Sequence, residues 1–510
     1  SRALTQAAQN CKRQYATLST GRVQGPTLRF LVIREKTIKC FVPTPYWTIT
    51  AKISINDIAF EVEYEKTLEN KNQATIVKDA CKTKKGKIET VVVTEFLQNT
   101  PEPFDLGSLQ SEAYRIFKYD PMRTLSIAQH LYLDALISYP RTSSQKLPPS
   151  IGYKNILKKL GEAPAYAKPA DELLSKPTLK PNEGKKFDPA HPAIYPTGNL
   201  PEKPLDTAQR NIFDLVVKRF LAVFGDPAIR QSISVAININ ENLFRLNATQ
   251  TLIDGWFHLY KPYVQLKDDS LPPLTEGQEI NVIRVFLNDN FTKPPARYNP
   301  RSLLLKMEKE EIGTKATRAS TIQTLYDRKY LNGTGNLYVS DLGFEVTEVL
   351  SKYCPTIVSP EMTRELEAKM AAIQQGNETK QRVLQNATET LKIVISELKE
   401  KEAAIGAQLS QPLQKGKLEK KAVGACPKCH DGKLVILRSK KTGKRFVGCT
   451  NYFERKCNTA FPLPQTGTIK PLRSLCKSCS SPMVAVYLST NRHWKLCLNP
   501  NCPSKGDYKK

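Results

Sequence analysis

The spacing of apolar residues changes four times along this 510-residue chain, which limits the fold more than any other feature. Apolar residues recur at helical spacing in residues 20–38, 107–137 and 300–402, whereas residues 43–100 and 231–290 are β-rich. A chain of this length exceeds the size at which a single hydrophobic core stops growing. We therefore expect a multidomain α+β protein whose domains are assembled from non-contiguous segments.

Two segments show these periods most clearly. From Trp47 to Ile55 apolar and polar residues alternate strictly, which predicts a half-buried strand. Leu125, Ala128, Leu131 and Ala135 fall on one face of a helix that is predicted to end just before Ile137.

Domain boundaries are placed where the period or composition changes. Residues 147–190 are rich in Pro and Lys, and they are interpreted as a flexible surface connection. The predicted segments are helical 1–42, sheet 43–100, helical 101–225, sheet 226–292, helical 293–405, a linker at 406–423, and two cysteine modules at 424–462 and 474–505.

The charge of the chain favours a polyanionic partner. There are 76 basic and 49 acidic residues, a net charge of +27. Residues 401–510 hold 22 of the basic and 5 of the acidic residues, so the tail is the most basic part. Nucleic acid is the first candidate. An acidic membrane surface is the alternative, but the sequence has no run of about 18 apolar residues and no signal-peptide pattern, so no membrane association is expected.

Eight of the twelve cysteines form two tetrads in the basic tail. Without a secretory signal, paired Cys-x-x-Cys units indicate metal binding rather than disulfides. Four thiolates suit tetrahedral structural Zn²⁺, so two zinc ribbons are predicted, with His430 and His493 as alternative ligands. The predicted ligands are Cys426, Cys429, Cys449, Cys457, Cys476, Cys479, Cys497 and Cys502.

Aromatic and basic residues interleave in the same tail. This mixture suits stacking on bases and neutralising phosphates of single-stranded DNA. The aromatic rings could equally form the small cores of the ribbons. The residues concerned are Phe446, Tyr452, Phe453, Tyr487 and Trp494, with Lys444, Arg445, Arg455, Arg492 and Lys495.

Tyr139 and Arg141 are two residues apart across a proline. Residues at i and i+2 of an extended segment point the same way, and Pro140 favours that geometry, so both side chains could address one phosphate. A phenol with a pKa of about 10 needs a neighbouring cation to act as a nucleophile near neutrality. Taken alone, the tripeptide also fits an ordinary surface turn.

Four motifs carry a resemblance to a known family. They are LSTGRVQGPTLRFLVIRE at 18–35, IAQHLYLDAL followed by SYPRTSSQKLP at 127–148, DPAHPAIYPT at 188–197, and PPARYNPRSLLLKMEKEEIGTKATRASTIQTL at 294–325. Over residues 1 to about 400 the chain resembles the type IA DNA topoisomerases, in particular their archaeal, topoisomerase I/III-like branch. The resemblance implies a toroidal body of helical domains and an antiparallel β-arch, followed here by the two zinc ribbons.

The resemblance also implies a function and a site. Tyr139 would be the nucleophile that forms a 5′-phosphotyrosine link, with Arg141 and His191 beside it. The activity would be ATP-independent relaxation of negatively supercoiled DNA by transient single-strand breakage, and no phosphate-binding Gly-rich loop is present. The implied DNA-binding residues are Arg22, Gln24, Gln129, Arg297, Thr317 and Arg318.

Two positions depart from the family pattern. Leu133 stands where many relatives have a glutamate, for which Asp134 is a candidate substitute, and Ser143 stands where bacterial members usually have an aspartate. Both are interpreted as differences between branches of the family.

The family's Mg²⁺-binding Toprim domain has no counterpart in this sequence, which contains no Asp-x-Asp motif. We therefore expect a Toprim-containing segment or polypeptide as a partner, and residues 1–510 alone to bind single-stranded DNA without relaxing supercoils. The expected location is cytoplasmic, with the nucleoid. Two other functions stay open, a non-catalytic single-stranded DNA-binding subunit and, less well supported, a tyrosine recombinase.

Overall fold

The computed structural model describes residues 2–12, 17–18, 20–82, 85–266, 268–410, 422–439, 442–452, 456–488 and 493–508. Its α-helices are α1 (Arg2–Lys12), α2 (Gln24–Lys39), α3 (Lys71–Ala80), α4 (Leu106–Phe117), α5 (Pro121–Leu133), α6 (Tyr153–Gly161), α7 (Pro164–Leu174), α8 (Thr207–Ala222), α9 (Pro300–Lys309), α10 (Arg318–Asp327), α11 (Asp341–Tyr353), α12 (Pro360–Gln374) and α13 (Lys380–Glu400). Its strands are β1 (Pro45–Ile55), β2 (Ile58–Tyr64), β3 (Lys85–Gln98), β4 (Ala228–Ile239), β5 (Asn242–Ile253), β6 (Glu279–Phe291), β7 (Leu331–Asn332), β8 (Tyr338–Val339), β9 (Ala422–Ala425), β10 (Lys433–Arg438), β11 (Arg445–Cys449), β12 (Ala460–Pro462), β13 (Thr468–Leu475), β14 (Pro482–Tyr487) and β15 (His493–Cys497).

Six long strands from both β-rich regions close into one antiparallel barrel in the order β1-β2-β5-β4-β3-β6. The predicted alternation in β1 is confirmed, because Ile49, Ala51, Ile53 and Ile55 are fully buried inside it. Closure leaves no free sheet edge where the strands meet. The α3 helix was not predicted, since its ten residues contribute only Ala74 to the buried interior.

The central helical body, as we call residues 101–225 together with 255–263, lies at one end of the barrel strands. Its core includes Leu131, Phe220 and Phe257. Capping boxes at Asp105 and Asp206 fix the starts of α4 and α8.

The prediction of a flexible connection at 147–190 is wrong. Helices α6 and α7 lie within it, and Ile156, Leu157, Leu160 and Leu173 are buried in the core of the central helical body. Lys and Pro residues occupy the exposed faces, and Pro164 stands in the first turn of α7, where proline is tolerated. The Lys- and Pro-rich composition therefore predicted an irregular connection where the chain forms two short amphipathic helices.

The terminal helical body joins α1 and α2 to α9–α13. Leu4, Leu28 and Leu31 from the start of the chain share one core with Leu303 and Val349 from its later part. The expectation of domains built from non-contiguous segments is met here. Residues 402–410 are also helical, so the helical part continues into the first residues of the linker predicted at 406–423. Linker residues 411–421 lie outside the described part of the chain.

The two cysteine modules form a four-stranded sheet (β12-β11-β10-β9) and a three-stranded sheet (β13-β14-β15). Val423 and Val447 of the first module share one core with Val484 and Leu498 of the second. The modules are therefore packed as one unit. Across the residues that the structure describes, none of the helices is apolar enough over a sufficient length to cross a lipid bilayer.

Candidate active site

The segment that carries Tyr139 is extended and pairs with residues 194–197. Ser138 N–H donates to the Tyr195 carbonyl at 2.8 Å, and Thr197 N–H donates to the Leu136 carbonyl at 3.0 Å. Further along, the Thr142 hydroxyl donates to the His191 carbonyl at 3.2 Å. The extended geometry expected from Pro140 is therefore held by a second strand-like segment.

This pairing brings Tyr139 and His191 together. Their ring centroids are 4.5 Å apart, with the planes inclined by 51°. Tyr132, at the end of α5, contacts the Tyr139 ring edge to face, with the centroids 5.3 Å apart. The phenol ring thus lies against two other rings, and the residue itself is half-buried.

Arg141 lies on the same segment, two residues after the tyrosine. Its Nε is buried and, within the described residues, has no hydrogen-bond partner. A buried donor on a permanent cation normally has an acceptor, so this guanidinium suits an anionic ligand such as a phosphate.

A tight turn connects α5 to the tyrosine segment. Ala135, which was predicted to lie on a helical face, is instead outside the helix, exposed, with a left-handed φ of 54°. Its carbonyl accepts hydrogen bonds from Thr197 Oγ1 at 2.6 Å and from Asn199 Nδ2 at 3.1 Å. Leu133 is 69% exposed and Asp134, the C-cap of α5, is exposed as well.

Three of the predicted DNA-binding residues cluster in the terminal helical body. Arg22 pairs with Glu367 at 2.7 Å, and a Cβ built on Gly313 would lie 3.1 Å from Val23 and 3.3 Å from Arg318. The Thr317 hydroxyl accepts the Thr314 N–H at 2.9 Å. The turn before α2 therefore meets the loop before α10.

Arg318 is a half-buried cation in this cluster. Its Nε donates to the Ile312 carbonyl at 3.2 Å. Burial lowers the pKa of its guanidinium, while the carboxylates of Glu308, Asp105 and Glu367 act in the opposite direction.

Of the other three predicted DNA-binding residues, Gln24 begins α2 beside this cluster, whereas Arg297 and Gln129 lie elsewhere. Arg297 donates to the buried Glu35 carboxylate at 2.7 Å and stacks on Tyr338. Glu35 is eleven residues along α2 from Gln24, which is about 16 Å at about 1.5 Å per residue. Gln129 is half-buried on α5, in the central helical body.

Two residues of the site, Tyr132 and Asp188, were not predicted from the sequence. Tyr132 contacts the tyrosine ring, as described above. Asp188 accepts hydrogen bonds from Ser143 of the tyrosine segment and forms an ion pair with Lys315 of the terminal helical body. A carboxylate three residues before His191 was visible in the DPAH motif, but nothing in the sequence indicated its partners.

The two cysteine tetrads come together as predicted. Within each tetrad all four sulfur atoms lie within 4.8 Å of one another. Zn–S bonds of about 2.3 Å in a tetrahedron place the sulfurs about 3.8 Å apart. The Sγ atoms of Cys426 and Cys457 are 3.8 Å apart, and those of Cys479 and Cys497 are 3.4 Å apart. Both clusters could therefore hold a zinc ion without His430 or His493.

Hydroxyl groups lie beside one ligand in each cluster, and in the first cluster the neighbouring group supports the thiolate form of Cys457. The Thr459 hydroxyl lies 3.2 Å from the Cys457 sulfur, and together with the Thr459 backbone N–H it lowers the pKa of that thiol to about 6. In the second cluster the Ser504 hydroxyl lies 3.0 Å from the Cys502 sulfur. Such contacts are typical of the groups that orient metal ligands.

Several aromatic and basic residues of the tail can also be located. Tyr487 and His493 are stacked, with centroids 4.9 Å apart, and Lys470 lies over the Tyr487 ring. Trp494 and Tyr452 are exposed at 41% and 62%. Phe453, Arg455 and Arg492 lie outside the described residues.

The residues near Tyr139 do not fit a magnesium site. Within the described ranges, the two cysteine tetrads are the only groups of three or more potential ligands that come close enough to share a metal ion. Magnesium prefers carboxylate and water oxygens, and the residues around Tyr139 do not supply a cluster of carboxylates for it.

Comparison with known proteins agrees with these observations. A family model described as DNA topoisomerase matches residues 1–385. DNA topoisomerase 1 of Pyrococcus horikoshii is 43% identical over 98% of this chain and 73% of its own length. DNA topoisomerase 1 of Methanothermobacter thermautotrophicus is 40% identical over 99% of this chain and 68% of its own length.

The fold is similar to a solved structure of full-length topoisomerase I from Thermotoga maritima. The TM-score is 0.64 and the sequence identity 23%, over 91% of this chain and 73% of that one. Fold and family match together define a DNA topoisomerase. The chain belongs to the type IA family of these proteins.

Proposed function

We propose that the chain, together with a Mg²⁺-binding Toprim segment or polypeptide, relaxes negatively supercoiled DNA by cutting and resealing one strand, with Tyr139 as the nucleophile. The observation that carries this proposal is the setting of Tyr139, whose ring packs against His191 two residues from the Arg141 cation. Names of the archaeal relatives agree with the activity.

The proposed reaction is a transesterification. The Tyr139 oxygen attacks a backbone phosphorus, forms an O–P bond and displaces the 3′ oxygen, which takes up the proton that the phenol loses. Arg141 would neutralise charge on the phosphoryl oxygens, and His191 presents an imidazole at the same ring. The 5′-phosphotyrosine diester retains the energy of the broken bond, so the 3′ hydroxyl can reverse the reaction without ATP.

DNA strands would be held by the terminal helical body. Arg22, Thr317 and Arg318 form one candidate phosphate-binding cluster near the start of α2, while Gln24, Gln129 and Arg297 are proposed as further contacts along the strand. The barrel would act as the arch that lifts one helical body from the other. The two basic cysteine modules would add affinity for single-stranded DNA. Binding to DNA would place the protein at the nucleoid.

Magnesium would come with a Toprim segment or polypeptide, because residues 1–510 contain no Asp-x-Asp motif. When bound, the ion would neutralise phosphate charge during cleavage and resealing. Addition of a purified Toprim segment to residues 1–510 is expected to yield Mg²⁺-dependent relaxation. Equal relaxation in its absence would contradict this part of the proposal.

The test of the nucleophile is trapping of a covalent adduct. The complete protein is mixed with a single-stranded oligonucleotide labelled at its 3′ end, which belongs to the fragment that stays bound to the tyrosine, and with Mg²⁺, then denatured and run on a gel. Tyr139→Phe is expected to eliminate the adduct and to leave DNA affinity unchanged, because only the phenolic oxygen is lost. Tyr119→Phe, in the same helical body, is the matched control. An adduct that persists in Tyr139→Phe would assign the nucleophile elsewhere.

A further inference from the structure

Asp188 lies where three segments of the molecule meet. Its carboxylate side chain is 4% exposed. Oδ2 accepts from the Ser143 N–H at 3.1 Å and from the Ser143 hydroxyl at 3.2 Å, and Oδ1 accepts from the Ala190 N–H at 3.1 Å. One carboxylate therefore joins the segment of Tyr139 to the segment of His191.

The cation that neutralises this carboxylate comes from the other helical body. Lys315 Nζ forms an ion pair with Asp188 Oδ2, and Lys315 lies in the loop between α9 and α10. A buried carboxylate is costly without a partner, so the conformation of Asp188 depends on contact between the two bodies.

A second ion pair crosses the same boundary next to the first. Lys186, two residues before Asp188, lies 2.9 Å from the Asp105 carboxylate at the start of α4 and 2.5 Å from Glu308 on α9. Asp105 itself caps α4 through the Ser108 N–H. The segment from Lys186 to Asp188 is thus attached by charge to the terminal helical body at two points.

We propose that Asp188 is a positioning residue for the strand-cleavage reaction, and that its pairing with Lys315 aligns Tyr139 with His191 only while the two helical bodies are in contact. The inference rests on the proposed function of Tyr139. The Asp188–Lys315 pair would therefore allow cleavage and resealing only in the arrangement in which the two helical bodies are in contact. When the bodies separate, Asp188 loses its cation and the two segments lose their common anchor.

The alternative role for Lys315 is direct contact with a DNA phosphate. In that case, loss of the lysine weakens DNA binding. The slope of the logarithm of the binding constant against the logarithm of the salt concentration also falls by about one. A positioning role instead leaves binding unchanged and slows the chemical step. These two outcomes separate the roles.

The experiment measures adduct formation in a single turnover on a short single-stranded oligonucleotide, using the complete Mg²⁺-loaded protein. Lys315→Met is expected to lower the rate by about ten- to a hundredfold, the range for a nucleophile misplaced by a fraction of an ångström to one ångström. Lys315→Arg should restore most of it. Affinity for the oligonucleotide without Mg²⁺ should stay unchanged. Lys309→Met, an exposed lysine on α9, is the matched control.

Asp188→Asn provides the second arm. It should slow adduct formation to a similar degree, and Lys315→Met added to it should have little further effect, because both changes disrupt the same pair. Additive losses, an unchanged rate in Lys315→Met, or a parallel loss of affinity would overturn the proposal. If the unmodified protein forms no adduct at Tyr139, the proposed function fails, which is a separate result.

Discussion

The rings of Tyr139 and His191 are in contact, with centroids 4.5 Å apart, although the two residues are 52 positions apart in the sequence. The contact exists because the backbone of residues 136–138 hydrogen-bonds to that of residues 195–197, and the Thr142 hydroxyl donates to the His191 carbonyl. Tyr139, the proposed nucleophile, and His191 therefore belong to one paired unit.

Tyr132 is expected to hold the Tyr139 ring in place. Tyr132→Ala removes the edge-to-face contact and should lower the rate of adduct formation by about tenfold, since the phenol ring can then rotate or shift. Tyr132→Phe keeps the ring and should recover most of the rate. The neighbouring exposed residue provides the control, Leu133→Ala. Equal rates in Tyr132→Ala and the unmodified protein would show that the contact has no role in alignment.

Ala135 is expected to carry backbone strain. Its φ of 54° suits glycine, so Ala135→Gly should raise the free energy of unfolding, by at most about 1 kcal/mol because glycine also loses more entropy on folding. Ala165→Gly on the exposed face of α7 should lower it by about 1 kcal/mol. Chemical denaturation measures both changes. A decrease for Ala135→Gly as large as that for Ala165→Gly would contradict the strain.

Loss of zinc from one of the two cysteine modules is expected to weaken zinc binding by the other. Val423 of the first module and Val484 of the second belong to one core, and a Cβ on Gly424 would lie 2.5 Å from Pro482. Cys429→Ser is expected to reduce zinc content from about two ions per chain to below one, since the second module loses part of its support. Metal analysis of the purified variant decides this, and retention of one full equivalent would mean that the modules bind zinc independently.

Glu112 should make the central helical body sensitive to acid. Burial raises the pKa of this carboxyl, but the hydrogen bond from Arg115 and the charge of Arg219 outweigh burial, so the pKa lies below its usual 4.5. A depressed pKa contributes stability above the pKa of the unfolded chain, and that stability is lost as the pH falls through the folded value.

Glu112→Gln should therefore unfold more easily at neutral pH, and its stability should fall less steeply than that of the unmodified protein below pH 4.5. Thermal melts between pH 7 and pH 3 measure the difference. Glu202→Gln, an exposed change on the same body, should leave the curve unchanged. Parallel curves for Glu112→Gln and the unmodified protein would exclude the linkage.

Local patterns predicted the elements whose burial is regular. The alternation at Ile49, Ala51 and Ile53 predicted β1, and the helical spacing of Leu28 and Leu31 predicted α2. Two failures have physical causes. Lys- and Pro-rich composition hid α6 and α7, and the helix predicted through Ala135 ends at Leu133 because the chain turns there.

Residue type and short spacing were sufficient to identify the family, the tyrosine segment and the eight cysteines of the two tetrads. The remaining contacts of the site depend on pairing between distant parts of the chain. The tertiary structure placed Asp188 between Ser143 and Lys315, brought Tyr139 against His191, and packed the two cysteine modules around one core. Such contacts join residues far apart in the chain, and their energies arise only when separate hydrophobic cores bring those residues into contact.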